Sequence, residues 1–149
     1  SLFNNNDFVV RNPDFVRPWQ FVLEPLRGYL ALGQKLLLGL DDFVGAWNFG
    51  PDFGEDFKVN EVVEQIIKNI GSKKLKIIYS PESEFHESKF LSLDISKSRK
   101  FLNWFPILDF STTVSLTTEG YLQQDSYNLY EDRLNQLNNY VSMVGDYVS

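Results

Sequence analysis

The sequence predicts a small mixed domain, α/β or α+β in character, of short strands with packed helices. Three observations carry that expectation. The chain has 149 residues, of which 43% are hydrophobic and 15% aromatic, which suits one domain with its own core. Apolar residues recur at helical spacing in two stretches, Val59–Ile70 and Tyr130–Val148. Between these, short β-branched runs alternate with turn residues, and no internal repeat or low-complexity linker interrupts them.

The elements follow in chain order. Asp7–Asn12 reads as a short strand. Arg17–Val22 is extended, because Pro18 disfavours the helical region for the residue before it. Pro25 can open a helix without losing a needed N–H, and Leu26, Tyr29, Leu30, Leu36 and Leu37 mark its apolar face up to Gly39. Gly33 falls on that face and would permit close packing. Ala46–Phe49 is a short apolar run closed by the turn signal Gly50-Pro51. Val59, Val62, Val63, Ile66, Ile67 and Ile70 form the clearest helix, stopped by Gly71. Lys76–Ser80 is a strand. Asp94 or Ser96 caps a short helix ending near Asn103. Phe110–Leu122 is ambiguous, since its Thr and Val content favours strand while Phe110, Val114, Thr117 and Tyr121 fit a helical stripe. In the tail, Tyr130, Leu134, Leu137, Val141, Val144 and Val148 alternate spacings of four and three. That pattern fits an amphipathic helix on its own domain or a seam with a partner chain.

Composition excludes several function classes. Twenty acidic against fourteen basic residues give a net charge of −6, so neither a nucleic acid nor an anionic membrane is an expected partner. With no cysteine and one histidine, thiolate chemistry, disulfides and Cys- or His-rich metal sites are absent, and no metal is expected. No apolar run approaches a membrane span, and the N-terminus has no basic or apolar region of a signal peptide. A cytoplasmic location is the expectation. The chain lacks an initiator Met, so the natural protein is expected to begin further upstream.

Motifs for chemistry are scarce. There is no glycine-rich phosphate loop, no G-x-S-x-G turn, and no Tyr followed four positions later by Lys. His86, flanked by Glu84 and Glu87, reads either as a general base or as part of a solvated acidic loop. Asp41-Asp42 and the acids of 52–56 could pair as acid and base or hold a hard cation, against the simpler reading of solvated loops. Arg17-Pro18-Trp19-Gln20 sets a planar guanidinium beside an indole and an amide, a combination suited to a phosphate-bearing ligand. Arg11 and Arg27 flank it; the alternative is scattered surface charge.

Val10–Leu30, which contains Arg11-Asn12-Pro13 and Arg17-Pro18-Trp19-Gln20, closely resembles a segment of the CDP-glucose 4,6-dehydratases. These are extended short-chain dehydrogenases. Ala46–Pro51, His86-Glu87-Ser88 with Leu91–Lys97, and Leu102–Pro106 are similar to further blocks of that family, in the same order and with the same gaps. Phe21 stands where the family usually has His, Asn103 where Gly is common, and Arg27 where a small residue is usual. The resemblance runs from about Phe8 to Gln124, which divides the chain into a substrate-binding domain, 1–124, and an amphipathic helical tail, 125–149.

The resemblance implies the C-terminal, substrate-facing part of such an enzyme, with the Rossmann half absent. NAD and the catalytic residues belong to that missing half. No catalytic residue and no cofactor are therefore expected in this chain. The family's reaction is an NAD-dependent lyase step from CDP-glucose to CDP-4-keto-6-deoxyglucose, a precursor of O-antigen and lipopolysaccharide sugars. By the same resemblance Arg17 would grip the pyrophosphate, Trp19 and Gln20 would shape that wall, Asn48 would point into the cleft, and His86 would contact phosphate or ribose. It also implies helix over Phe110–Leu122. Whether the chain is itself an enzyme is left open. It would act with a separate Rossmann half or self-associate through the 127–148 helix; the alternatives are a stand-alone nucleotide-sugar-binding or interaction module, and an inactive gene remnant.

Overall fold

The computed structural model describes residues 8–71, 77–80 and 88–148. Two short strands, β1 (Phe8–Arg11) and β2 (Ile77–Ser80), pair in parallel with Phe8 opposite Ile77 and Arg11 opposite Ser80. The described residues also form five helices, α1 (Leu23–Leu37), α2 (Val59–Ile70), α3 (Ser96–Leu102), α4 (Phe110–Leu122) and α5 (Leu129–Val148). A 3-10 turn occupies Asp41–Phe43. The expected mixture of short strands and packed helices is the one observed.

Local chemistry accounts for most boundaries. Glu61, in the first turn of α2, accepts the Lys58 N–H at 2.7 Å, and Gly71 ends the helix at φ 69°. Asp94 accepts the Ser96 N–H at 2.8 Å at the start of α3. Hydrogen bonds from the Ser96 hydroxyl and main chain hold the Asp94 carboxyl below its usual range. Asn103 closes α3 in the left-handed region, φ 50°, ψ 35°.

The ambiguous stretch 110–122 is helix. Asp109 caps it by accepting the Thr112 N–H at 2.7 Å, and that bond also keeps the Asp109 pKa low. The strand-favouring threonines turn their hydroxyls back into the helix, Thr117 onto the Thr113 carbonyl and Thr118 onto that of Val114. Burial of Thr113, Val114 and Thr118 outweighs the modest β preference.

Two apolar clusters hold the helices. Phe49, Ile95 and Trp104 meet beneath α1, with Leu32, Trp47, Leu93 and Leu102 around them. Phe21, Leu108 and Tyr140 form the second, joined by Leu23, Ile107, Leu116 and Val144. Gly28 is required where α1 crosses the first cluster, because a Cβ there would lie 2.3 Å from the Phe49 ring. The packed face of α1 is therefore the Gly28–Leu32 side. Leu26, Leu30, Leu36 and Leu37, the face the periodicity marks as core, are exposed, Leu30 at 76% and Leu37 at 91%.

Candidate functional site

The segment 12–20 is the hub of the site. Asn12, at φ 51°, turns the chain out of β1, and the Phe15 N–H closes the turn onto the Asn12 carbonyl at 3.0 Å. Val16 then bridges two segments, Lys58 in antiparallel sense and Phe90 in parallel. Its N–H donates to Lys89 O at 2.8 Å, and its carbonyl accepts from Leu91 N–H at 3.3 Å. On the other edge Val59 N–H donates to Phe15 O at 2.9 Å. Residues far apart in sequence are thus clamped side by side at Arg17.

Four consecutive residues fan out from that clamp. The Arg17 guanidinium donates to Val16 O at 2.7 Å and to Ser88 O at 3.0 Å, and it lies 5.0 Å from the centre of the Phe15 ring. Pro18 lines a cleft of 660 Å³ with Pro51, Asp52, Phe53, Phe90, Asp94 and Arg99 among its walls. The Trp19 indole donates to Phe57 O at 3.0 Å. Gln20 donates its amide to Phe49 O at 2.8 Å and lines a second cleft of 510 Å³ between α4 and α5. Its own Oε1 is buried and accepts no hydrogen bond among the described residues.

Of the residues the sequence singles out, the structure brings Arg17 beside Ser88, two positions after His86. His86 itself lies outside the described residues. Asn48 and Gln20 meet through one strip of main chain. The Asn48 amide donates to Asp94 O at 3.1 Å, its carbonyl accepts from Ser98 Oγ, and the next carbonyl takes Gln20. The N–H donors of Trp19, Gln20 and Asn48 are committed to carbonyls of their own chain, which orients those side chains firmly. The apolar run Ala46–Phe49 is neither helix nor strand.

Arg27, which flanks the motif in sequence, serves elsewhere. It pairs with Glu24 at 3.3 Å, donates to Phe105 O, and reaches the Tyr140 hydroxyl at 3.1 Å. Sequence reasoning also missed Arg99, whose ion pair with Asp52 crosses the larger cleft at 2.5 Å. Its place on a short exposed helix gave no signal. The acids of 52–56 do not gather round a cation, and no group of three His, Asp or Glu among the described residues could hold a metal. They do crowd one another: partial burial, together with the charges of Asp109 and Asp52, pushes the Glu55 pKa up. No helix among the described residues is long and apolar enough to cross a membrane.

No protein-family model matches the chain. CDP-glucose 4,6-dehydratase of Salmonella typhimurium is 38% identical over 106 residues, 71% of this chain. The matched region is only 29% of that enzyme's length. The resemblance read from Val10–Leu30 and the later blocks is borne out. The crystal structure of UDP-N-acetylglucosamine 4-epimerase from Bacillus cereus shares the fold, with a TM-score of 0.56 at 18% identity. That likeness covers 78% of this chain and 38% of the epimerase. The chain therefore adopts part of the extended short-chain dehydrogenase fold, and it is similar to enzymes named for nucleotide-sugar substrates.

Proposed function

We propose that this chain is the substrate-side portion of an NAD-dependent sugar-nucleotide 4,6-dehydratase acting on CDP-glucose or a close analogue. The observation that carries the reading is the match to the Salmonella enzyme through a region whose geometry sets Arg17 against the segment following His86. A guanidinium fixed by two carbonyls and an aromatic face keeps a defined orientation, which is what bidentate recognition of a diphosphate requires. The adjoining cleft, with carboxylates and the rings of Phe53 and Phe90, suits the hydroxyl-bearing and planar parts of the ligand better than its phosphates.

The described residues do not fit NAD. β1 runs into Asn12-Pro13 rather than a glycine-rich turn opening a helix, so nothing here cradles a dinucleotide pyrophosphate. Cofactor and proton-transfer groups would come from a nucleotide-binding portion. The exposed apolar face of α1 is a suitable surface for it.

Calorimetry with CDP-glucose, CDP and dTDP-glucose tests the reading. A buried charge-assisted contact contributes about 1.5–3 kcal/mol, so Arg17→Ala should weaken CDP-glucose binding at least tenfold. Unchanged affinity in that variant would remove Arg17 from the site. Mixing the chain with the nucleotide-binding portion of the Salmonella enzyme should restore NAD-dependent dehydration; no activity in any ratio would count against the assembly.

A further inference from the structure

Helix α5 presents two faces, and only one is used among the described residues. Inward, Arg133 donates to the Gly120 carbonyl, and Gln136 donates to Leu116 O at 2.7 Å. Tyr140, 3% exposed, packs on Phe21 with ring centres 6.1 Å apart. Outward, Tyr130, Leu137 and Val141 lie on one stripe at spacings of seven and four and are 76%, 42% and 57% exposed. This stripe belongs to the heptad pattern of the sequence. The fold has buried a neighbouring face, with Val144 the one stripe residue packed against the core cluster.

Charge is missing from this surface. From Leu134 to Gly145 no residue is acidic or basic; Asn138 and Gly145 border the stripe, and Asn135, Asn139, Ser142 and Met143 make up the rest of the exposed surface there. Solvent-facing helices normally carry charge, whereas the centres of protein interfaces are depleted of it. We propose that the outer stripe of α5 is a self-association surface, occupied by the same stripe of a second copy across a two-fold axis. Two copies of a chain with net charge −6 repel unless they meet on a neutral face, and this face is neutral over three turns. The uncharged Asn138 amide at its edge can pair with its own mate under two-fold symmetry. A 20-residue helix is about 30 Å long. A seam along it buries on the order of 500 Å² per copy, at the weak end of specific interfaces. The association expected is therefore weak and concentration-dependent. This inference does not depend on the nucleotide-sugar reading.

Sedimentation velocity of the full chain, from about 1 to 300 μM, tests the proposal. The expected result is a monomer–dimer equilibrium in which Val141→Glu raises the dissociation constant at least tenfold and Leu30→Glu, on α1, leaves it unchanged. Circular dichroism verifies that both variants fold. Because the chain has no cysteine, Asn138→Cys gives an independent readout that spares the apolar stripe. Mild oxidation should yield a disulfide-linked dimer, and adding Val141→Glu should suppress it. A monomer at all concentrations, an association dispersed by Leu30→Glu but not by Val141→Glu, or no cross-link at position 138 would each overturn the proposal.

Discussion

Glu24 is almost wholly buried, at 1% exposure, and it shows why a buried carboxylate is tolerable here. Its Oε1 accepts the N–H groups of Ile107 and Leu108 at 3.0 and 3.1 Å, and its Oε2 faces Arg27. Arg27 passes the connection on to Tyr140 of α5. Glu24→Ala would leave two main-chain donors without their acceptor and a largely buried guanidinium without its carboxylate. Urea denaturation should register a loss of about 3–5 kcal/mol, while Glu24→Gln, which keeps one acceptor, loses markedly less. Tyr140 gives a pH test. Burial, reinforced by the charge of Glu24 and opposed by Arg27, pushes its phenol up to about 12 from 10.0. The folded state favours the neutral form, so this contribution is full below pH 10 and is lost as pH rises towards 12. Thermal unfolding across that window should fall more steeply for the native chain than for Tyr140→Phe. None of this network was legible in the sequence. Glu24 and Arg27 look like ordinary i, i+3 surface charges, and only the arrival of residues 104–108 and of α5 makes them interior.

At the scale of elements, the sequence was most readable where one local signal dominated. The apolar spacing of Val59–Ile70 with its terminal glycine, and the turn at Asn103, reappear as α2 and the end of α3. Helix α4 was readable only through the resemblance, because its threonines argue for strand until the Asp109 cap and the tertiary contacts are known. The face of α1 was misjudged for a related reason. Periodicity reports an apolar stripe but not what covers it, and within this chain Phe49 requires Gly28 on the opposite side. Two substitutions test these placements. Gly28→Ala forces a methyl group into the Phe49 ring and should cost about 1–3 kcal/mol. Asn103→Ala, which keeps the left-handed backbone without the amide, should cost about 1 kcal/mol, whereas Asn103→Gly should cost nothing. Equal loss in both Asn103 variants would mean that the side chain, not the backbone angle, matters there.

Over the whole molecule, the candidate site was legible as a motif but not as a geometry. Arg17, Trp19 and Gln20 are neighbours in sequence, yet their side chains tie to Ser88, Phe57 and Phe49 respectively, so one short segment organises three distant parts of the chain. Such long-range ties are invisible to spacing rules. The same holds for the uncovered surface. Leu26, Leu30 and Leu37 of α1, continued by Leu38, Leu40 and Val44, leave an apolar strip open to solvent, larger in character than the scattered hydrophobics of an ordinary surface. If the strip is a docking surface for a nucleotide-binding portion rather than part of the fold's own support, charging it should weaken that docking without changing stability or the self-association of the chain. Leu30→Lys and Leu37→Lys should then lower binding of a hydrophobic dye and slow aggregation on heating, while the unfolding free energy from urea denaturation stays within about 0.5 kcal/mol of the native value. The same substitutions should weaken assembly with a nucleotide-binding portion at least tenfold while leaving calorimetric binding of CDP to the chain alone intact. A large loss of stability instead would place these leucines in the chain's own packing and leave the strip without a docking role.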